Sequence, residues 1–252
     1  MKLERRGQIA DLINQQKTVT NADLMERFGV SIETVRRDLD YLEQQGVLRK
    51  VYGGAVANIS LNSEPEYANR SKMHYAQKNA IAQEAAKLIR PGDTVYLGVG
   101  TTVQAMVQYM KNIGPITVFT NALRTAVELS EIPGCTVILP GGQLRAKELT
   151  LSGFPAEDNL LHFNVDKAFI GIGGITEAGI TDFHISEAQL HRQLVLNARQ
   201  SIALADSSKI GLRAMNNVCT LEQIDLVITD SNARKPSVKA LESAGAKVTV
   251  AK

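Results

Sequence analysis

No apolar run in this 252-residue chain is longer than a strand. A membrane span takes about 20 consecutive apolar residues, so none is expected. The first residues, MKLERRGQIADLI, carry charge but no apolar h-region. No secretory signal is therefore expected, and the chain reads as cytoplasmic. Cysteine is scarce: Cys135 and Cys219 are the only two and lie far apart. Two buried thiols in a reducing compartment are the expectation, with a single disulfide as the alternative. Cys135 has no recognisable base partner and reads as core rather than nucleophile. Histidine is also scarce. His74, His162, His184 and His191 are scattered without metal-ligand spacing, so no zinc, other metal or cofactor is expected. A large charge of one sign is missing too, since the formal net charge is +2. Residues 1–57 hold nine Lys+Arg and eight Asp+Glu, a net of +1. Any binding to a polyanion must then rest on local clustering rather than bulk charge. Apolar content of 44% and charged content of 21% are ordinary for a globular protein. The length suits one small and one medium domain.

What is present concentrates in residues 18–56. Ile9, Leu12 and Ile13, with Leu3, fit one face of a first helix. Thr20 is a good N-cap for a second, with Asp23 as its acidic N3 partner. Gly29 suits a left-handed C′ position and Ser31 caps a third helix. The tight Phe28–Ser31 connection is what a helix-turn-helix requires. On the third helix Ile32, Val35, Leu39 and Leu42 cluster as core. Glu33, Thr34, Arg37 and Tyr41 face outward, and Arg36 and Asp38 lie on the flanks. Arg takes a guanine edge bidentately, and Ser or Thr bonds base or phosphate. Beyond a turn at Gly46, residues 47–52 read as a strand, Gly53-Gly54 as a hairpin turn and 55–57 as the return. Arg49 and Lys50 at the strand end suit phosphate. The expected module is a winged helix-turn-helix.

Residues 58–75 are polar without sustained period and read as a linker. From 76 to 252, strands are expected over 94–99, 116–120, 136–139, 167–170, 202–205, 226–229 and 247–250. Helices are expected over 77–89, 102–111, 122–129, 187–198 and 237–243. That alternation indicates an α/β domain with a largely parallel sheet, whose ligands bind beyond the C-terminal strand ends. Five such ends carry glycines and polar partners. They are Gly98 to Thr102, Thr120-Asn121, Pro140 to Arg145, Gly171 to Ile175, and Asp206 to Lys209. A helix N-terminus behind Gly100, Thr101 and Thr102 favours an anion. Arg145 suits a phosphate or carboxylate fork, and Lys209 offers a compact cation. Glycine is a normal way to leave a strand, which explains the glycines but not the polar partners.

The segment SIETVRRDLDYLEQQGVLRKVYGGAV resembles the N-terminal signature of DeoR-family bacterial transcription regulators. GTT, TN, PGG-x-x-R, G-x-G-G and ADSSK, in that order, together with Lys78 and IAQEAAKLI, resemble the same family's effector domain. The resemblance implies a DNA-facing set of Thr20, Ser31, Glu33, Thr34, Arg36, Arg37, Tyr41, Arg49, Lys50 and Tyr52. It implies a sensor domain similar in fold to ribose-5-phosphate isomerase and the coenzyme A transferases. There Gly100, Thr101 and Thr102 would cradle a phosphate. Asn121, Gly141, Gly142, Arg145, Gly173 and Lys209 would surround the phosphate or its sugar, and Asp182 and Glu187 would meet hydroxyls or order the Lys209 loop. Lys50 and Tyr52 stand where the family commonly has Arg and His, and His191 where it commonly has Lys. The implied protein is a homo-oligomeric repressor of a sugar-catabolic operon, reading double-stranded operator DNA and relieved by a phosphorylated sugar. The alternatives are an isomerase carrying a DNA module and a constitutive DNA-binding scaffold. Against the first, residues 171–174 lack the acids that isomerase chemistry needs.

Overall fold

The computed structural model describes residues 2–16, 18–45, 47–57 and 64–252. Gly46, read above as a turn, the Leu3 side chain and residues 58–63 of the expected linker lie outside that set. The chain divides into two compact units, Met1–Met73 and His74–Lys252.

The first unit contains α1 (Lys2–Gln16), β1 (Thr18–Thr20), α2 (Asn21–Phe28), α3 (Ile32–Gln44), β2 (Leu48–Val51), β3 (Gly54–Ala57) and α4 (Tyr67–Arg70). Its strands form an antiparallel sheet in the order β1-β3-β2. Ile9, Leu12 and Ile13 of α1, Leu24 of α2, and Val35, Leu39 and Leu42 of α3 share one core with Val19, Leu48 and Ala55. Thr20 and Asp23 make the full capping box, and Gly29 holds φ 61°. The Ser31 side chain accepts from the Thr34 backbone.

Three expectations need correction here. Asp38 is not on a flank but buried, its Oδ2 2.7 Å from Arg5 Nε and its Oδ1 2.7 Å from Arg6 Nε. Two arginines from α1 let a carboxylate enter the core, where an unpaired one would be too costly. The hairpin turn is Tyr52-Gly53, because Val51 pairs with Gly54. Gly53 supplies the positive φ of 84°, while a Cβ on Gly54 would lie 2.0 Å from the Val19 carbonyl oxygen. The polar stretch read as a linker carries helix α4, where Arg70 pairs with Glu64 at 2.7 Å and Asn69 bonds Gln45.

The second unit runs α5 (Tyr75–Ala86), β4 (Thr94–Leu97), α6 (Thr101–Gln104), β5 (Ile116–Thr120), α7 (Leu123–Ser130), β6 (Cys135–Ile138), β7 (Gln143–Arg145), β8 (Thr150–Ser152), α8 (Phe154–Leu161), β9 (Val165–Gly171), β10 (Gly174–Thr176), β11 (Gly179–Asp182), α9 (Ile185–Asn197), β12 (Ala198–Leu204), β13 (Asn216–Cys219), β14 (Leu226–Asp230), α10 (Lys235–Ser243) and β15 (Val248–Ala251). The seven strands expected from sequence are the seven of one parallel sheet, ordered β15-β14-β12-β9-β4-β5-β6.

Side chains alternate across that sheet as a pleat requires. Val95, Leu97, Phe169, Ile202, Leu204 and Ile228 pack with α5 and the segment after Gly100. Tyr96, Ala168, Ile170, Ala203 and Val227 point to the other face, towards α8, α9 and α10. The helix expected over 102–111 is a single α-turn, Thr101–Gln104, followed by a 3₁₀ turn, Val107–Tyr109. It still buries Val103, Met106, Val107 and Met110. Cys135 and Cys219 are free and only half buried, correcting the buried pair.

Candidate functional site

In the first unit, α3 exposes Glu33, Arg36 and Arg37, with Thr34 half buried beside Ser31. Thr20 and Ser31 are exposed but already serve as caps: Thr20 Oγ1 accepts from the Asp23 backbone at 3.1 Å, and Ser31 Oγ lies 3.1 Å from Thr34 Oγ1. Tyr41, expected to face outward, is half buried against the core with the Arg6 guanidinium 3.9 Å above its ring. The Arg5–Arg6–Asp38 cluster and this stack fix α3 on α1, a role the reading of the sequence missed. Its only signal was the Arg5-Arg6 pair.

The wing is β2, β3 and their turn. Arg49 and Lys50 are exposed, and Tyr52 at the tip is fully exposed. Lys50 is ion-paired to Asp40, and its backbone N–H donates to Glu43 Oε1 at 2.6 Å. The Asp40 hydrogen bond raises the Lys50 ammonium above its ordinary value, and Arg36 lies near enough to oppose that shift. Arg36 and the wing cation thus approach one another on the surface of this unit.

In the second unit the sheet order reverses between β4 and β9, the place where crevices open in such sheets. The β4 loop crosses closely over the end of β9. A Cβ on Gly171 would lie 2.3 Å from the Val99 carbonyl oxygen, and Gly100 holds φ 138°. Thr102 is buried and Thr101 half buried. With only one α-turn behind Gly100, the helix dipole there is weak, so the Thr hydroxyls and loop N–H groups must supply most of any anion contact.

Arg145 stands on β7 and donates to Glu187 Oε1 at 2.6 Å, joining the hairpin to the first turn of α9. Glu187 also stands close to Tyr96. Burial and then that carboxylate push the Tyr96 hydroxyl well above its ordinary range. Tyr96 therefore stays a donor, and its OH gives to Asn121 Oδ1 at 2.6 Å. Asn121 Nδ2 in turn donates to the Leu151 carbonyl at 3.0 Å. Asn121, expected to meet ligand, is 1% exposed and braces β4 and β5 against β8.

One turn after Glu187 on α9, His191 is buried with Nδ1 3.6 Å from Asp182 Oδ2. That separation is longer than a hydrogen bond, and among the described residues neither ring nitrogen has a hydrogen-bond partner. A Cβ on Gly98 would lie 3.0 Å from His191 Nε2. Burial pushes the Asp182 carboxyl up, but the imidazole and the Phe183 and His184 N–H groups outweigh it and hold Asp182 below its ordinary value. Gly173 abuts Asp182 and Phe183. Lys209 Nζ lies 5.7 Å over the Phe183 ring.

Asp206 is buried at the end of β12 and caps the Ser208 N–H. Burial pushes its carboxyl up, and Lys209, His74, the Ser208 bond and Lys78 together bring it below its ordinary value. His74, placed in the linker by sequence, instead starts α5 in a left-handed conformation, φ 54°. The Ser207 N–H donates to Asp230 Oδ2 at 2.6 Å, so Asp230 orders this loop from β14. Gly141 and Gly142 are exposed beside α8, near Asn159, Ser152 and Ala156. Among the described residues no group of His, Cys, Asp and Glu is arranged to hold a metal. No described helix is long and apolar enough to cross a membrane.

Two family models match the chain in the order of its units. One is the DeoR-like helix-turn-helix domain over residues 5–60, the other the DeoR C terminal sensor domain over 73–231. The HTH-type transcriptional regulator GolR of Listeria innocua is 36% identical over 252 residues, covering 98% of each chain. The HTH-type transcriptional repressor GlcR of Bacillus subtilis is 36% identical over 247 residues, 98% of this chain and 95% of that one. The glycerol-3-phosphate regulon repressor of Escherichia coli is 31% identical over 229 residues, 90% of each. Among solved structures, ribose 5-phosphate isomerase A of Methanocaldococcus jannaschii superposes with a TM-score of 0.39 at 18% identity over 52% of both chains, a likeness too distant to carry a functional argument.

Proposed function

The chain belongs to the DeoR family of transcriptional regulators, and on that premise we propose that it represses a carbohydrate catabolic operon and is released from its operator by a phosphorylated sugar. The observation that carries this reading is the pairing of a DNA-reading unit with a sensor domain whose strand-end loops carry Thr101, Thr102 and Lys209, with Arg145 on the β7 hairpin. Repressors stand among its relatives, one of them of a glycerol-3-phosphate regulon.

On this reading Arg36 and Arg37 reach the major groove from α3, while Arg49, Lys50 and Tyr52 reach the backbone or minor groove from the wing. Thr20, Ser31, Glu33, Thr34 and Tyr41 border the same surface. The protein acts as a cytoplasmic homo-oligomer, a dimer or tetramer, because helix-turn-helix proteins read paired half-sites. In the sensor, Gly100, Thr101 and Thr102 take the phosphate. Arg145, Lys209, Gly141, Gly142 and Gly173 border the ligand, and Asp182 and Glu187 meet its hydroxyls. Asn121 acts from behind through Tyr96.

The sugar phosphate shifts the equilibrium by binding the DNA-incompetent arrangement more tightly, since a ligand acts only through differential affinity. As a family member the chain is a regulator and not an isomerase. A gel-shift titration over the region upstream of its own gene, with and without a panel of sugar phosphates, tests the proposal. A salt-sensitive, sequence-preferring shift that one of the ligands dissolves is expected. Equal affinity for random DNA overturns the operator reading, and a shift indifferent to every sugar phosphate favours the constitutive scaffold.

A further inference from the structure

Helix α9 has two faces with opposite needs. Its inner positions Glu187, Ala188, Leu190, His191, Leu194 and Val195 are buried. On the outside, Ile185 and Leu196 are 66% and 62% exposed. They lie eleven positions apart, about three helical turns, and so share one stripe with Gln189 and Arg192 between. Phe154, at the start of α8, is 77% exposed. It opens a groove of ≈ 240 Å³ lined by Glu157, Asp158, Gln189, Arg192 and Gln193. Large apolar side chains flanking one groove mark an interaction surface rather than ordinary scatter.

The charges choose the occupant. Two acids come from α8 and one arginine from α9, all on the same groove. Arg192 is held in place by its own chain: its Nε donates to the Val218 carbonyl at 3.3 Å and a terminal N–H to that of Asn217 at 2.6 Å. Its remaining donors are thereby pre-set, which lowers the ordering cost of a new contact. A two-fold axis through the groove would set the acids of each copy against the Arg192 of the other, the self-complementary arrangement of an isologous interface. An unrelated partner needs only one half of that pattern.

We propose that the groove between α8 and α9, with Phe154, Ile185 and Leu196 around it, is the surface on which a second copy of this chain docks. The proposal rests on the homo-oligomer reading above and locates its interface.

Sedimentation of the full-length chain tests it, with circular dichroism to monitor folding. Phe154→Glu combined with Leu196→Glu replaces exposed side chains and should weaken self-association by at least about tenfold. Arg192→Glu should do the same, and adding Glu157→Arg with Asp158→Arg should restore the assembly. An assembly unaltered by these changes, or one lost in Arg192→Glu and not regained by the charge swap, overturns the interface while leaving the homo-oligomer intact. A monomeric wild-type chain overturns both.

Discussion

Arg37 and Arg145 are the same side chain in opposite circumstances. Arg37 stands exposed on α3, whereas Arg145 is half covered and answered by the buried carboxylate of Glu187. Arg37→Ala should weaken operator binding by about 1–3 kcal/mol and relax base preference at one position if the contact is bidentate. Competition gel shifts against random DNA measure this, and equal loss on both would make Arg37 a phosphate contact. Arg145→Ala should leave operator affinity intact and blunt induction. It should also lower the thermal midpoint, because the buried Glu187 carboxylate loses its ion pair with Arg145. Adding Glu187→Gln should recover part of that stability without restoring induction. A normally inducible Arg145→Ala removes the residue from the effector site.

At the scale of elements, the wing depends on a glycine that the sequence placed in the wrong role. Gly54 is not a turn residue but the point where β3 passes β1 closely. Gly54→Ala should therefore prise β3 from β1 and lower the unfolding midpoint of the first unit more than Gly53→Ala, which costs about 1 kcal/mol for its positive φ. Differential scanning calorimetry of the two variants gives the order, and the reverse order would contradict the close approach.

Periodicity found all seven strands of the parallel sheet, because each is an apolar run bounded by turn residues. It missed β1, whose Thr-Val-Thr buries only Val19. The small sheet β10-β11-β13 was missed too, since its strands of three or four residues acquire identity only by pairing across distant sequence. The helix over 102–111 was overextended because a 3₁₀ turn preserves much of the same apolar spacing.

The order of strand-end motifs was equally legible, but their partners were not. Nothing in the local sequence says that Tyr96 and Leu151 engage both ends of the Asn121 amide. Nor does the α3 wheel reveal that Asp38 is met by two arginines from α1. A wheel ranks positions by hydropathy and is blind to a charge buried with its counterions.

For the whole molecule, stability should carry the imprint of its buried carboxylates. Asp182 and Asp206 both sit below their ordinary 3.8 in the folded chain. The stability they contribute is in place above that value and is lost as pH falls through their folded pKa values. Urea midpoints should therefore drop on the acid side of pH 3.8, and Asp206→Asn should flatten that drop. An unchanged acid limb in the variant would mean that Asp206 does not contribute to it. At a hundredfold its dissociation constant, a true sugar-phosphate ligand should add about 2.7 kcal/mol of stability, read as a thermal shift of the full chain.

The pairing of Lys50 with Asp40 also bears on how the protein responds to salt. This lysine does not begin bare. Meeting a DNA phosphate is for it a displacement reaction, one oxyanion traded for another, and ions weaken the bond given up as well as the bond gained. A fully solvated cation contributes about 0.9 to the slope of log affinity against log salt. Lys50 should contribute visibly less than Arg49, so Arg49→Ala should flatten that slope more than Lys50→Ala. The wing then holds its grip over a wider range of ionic strength than a tally of its positive charges implies.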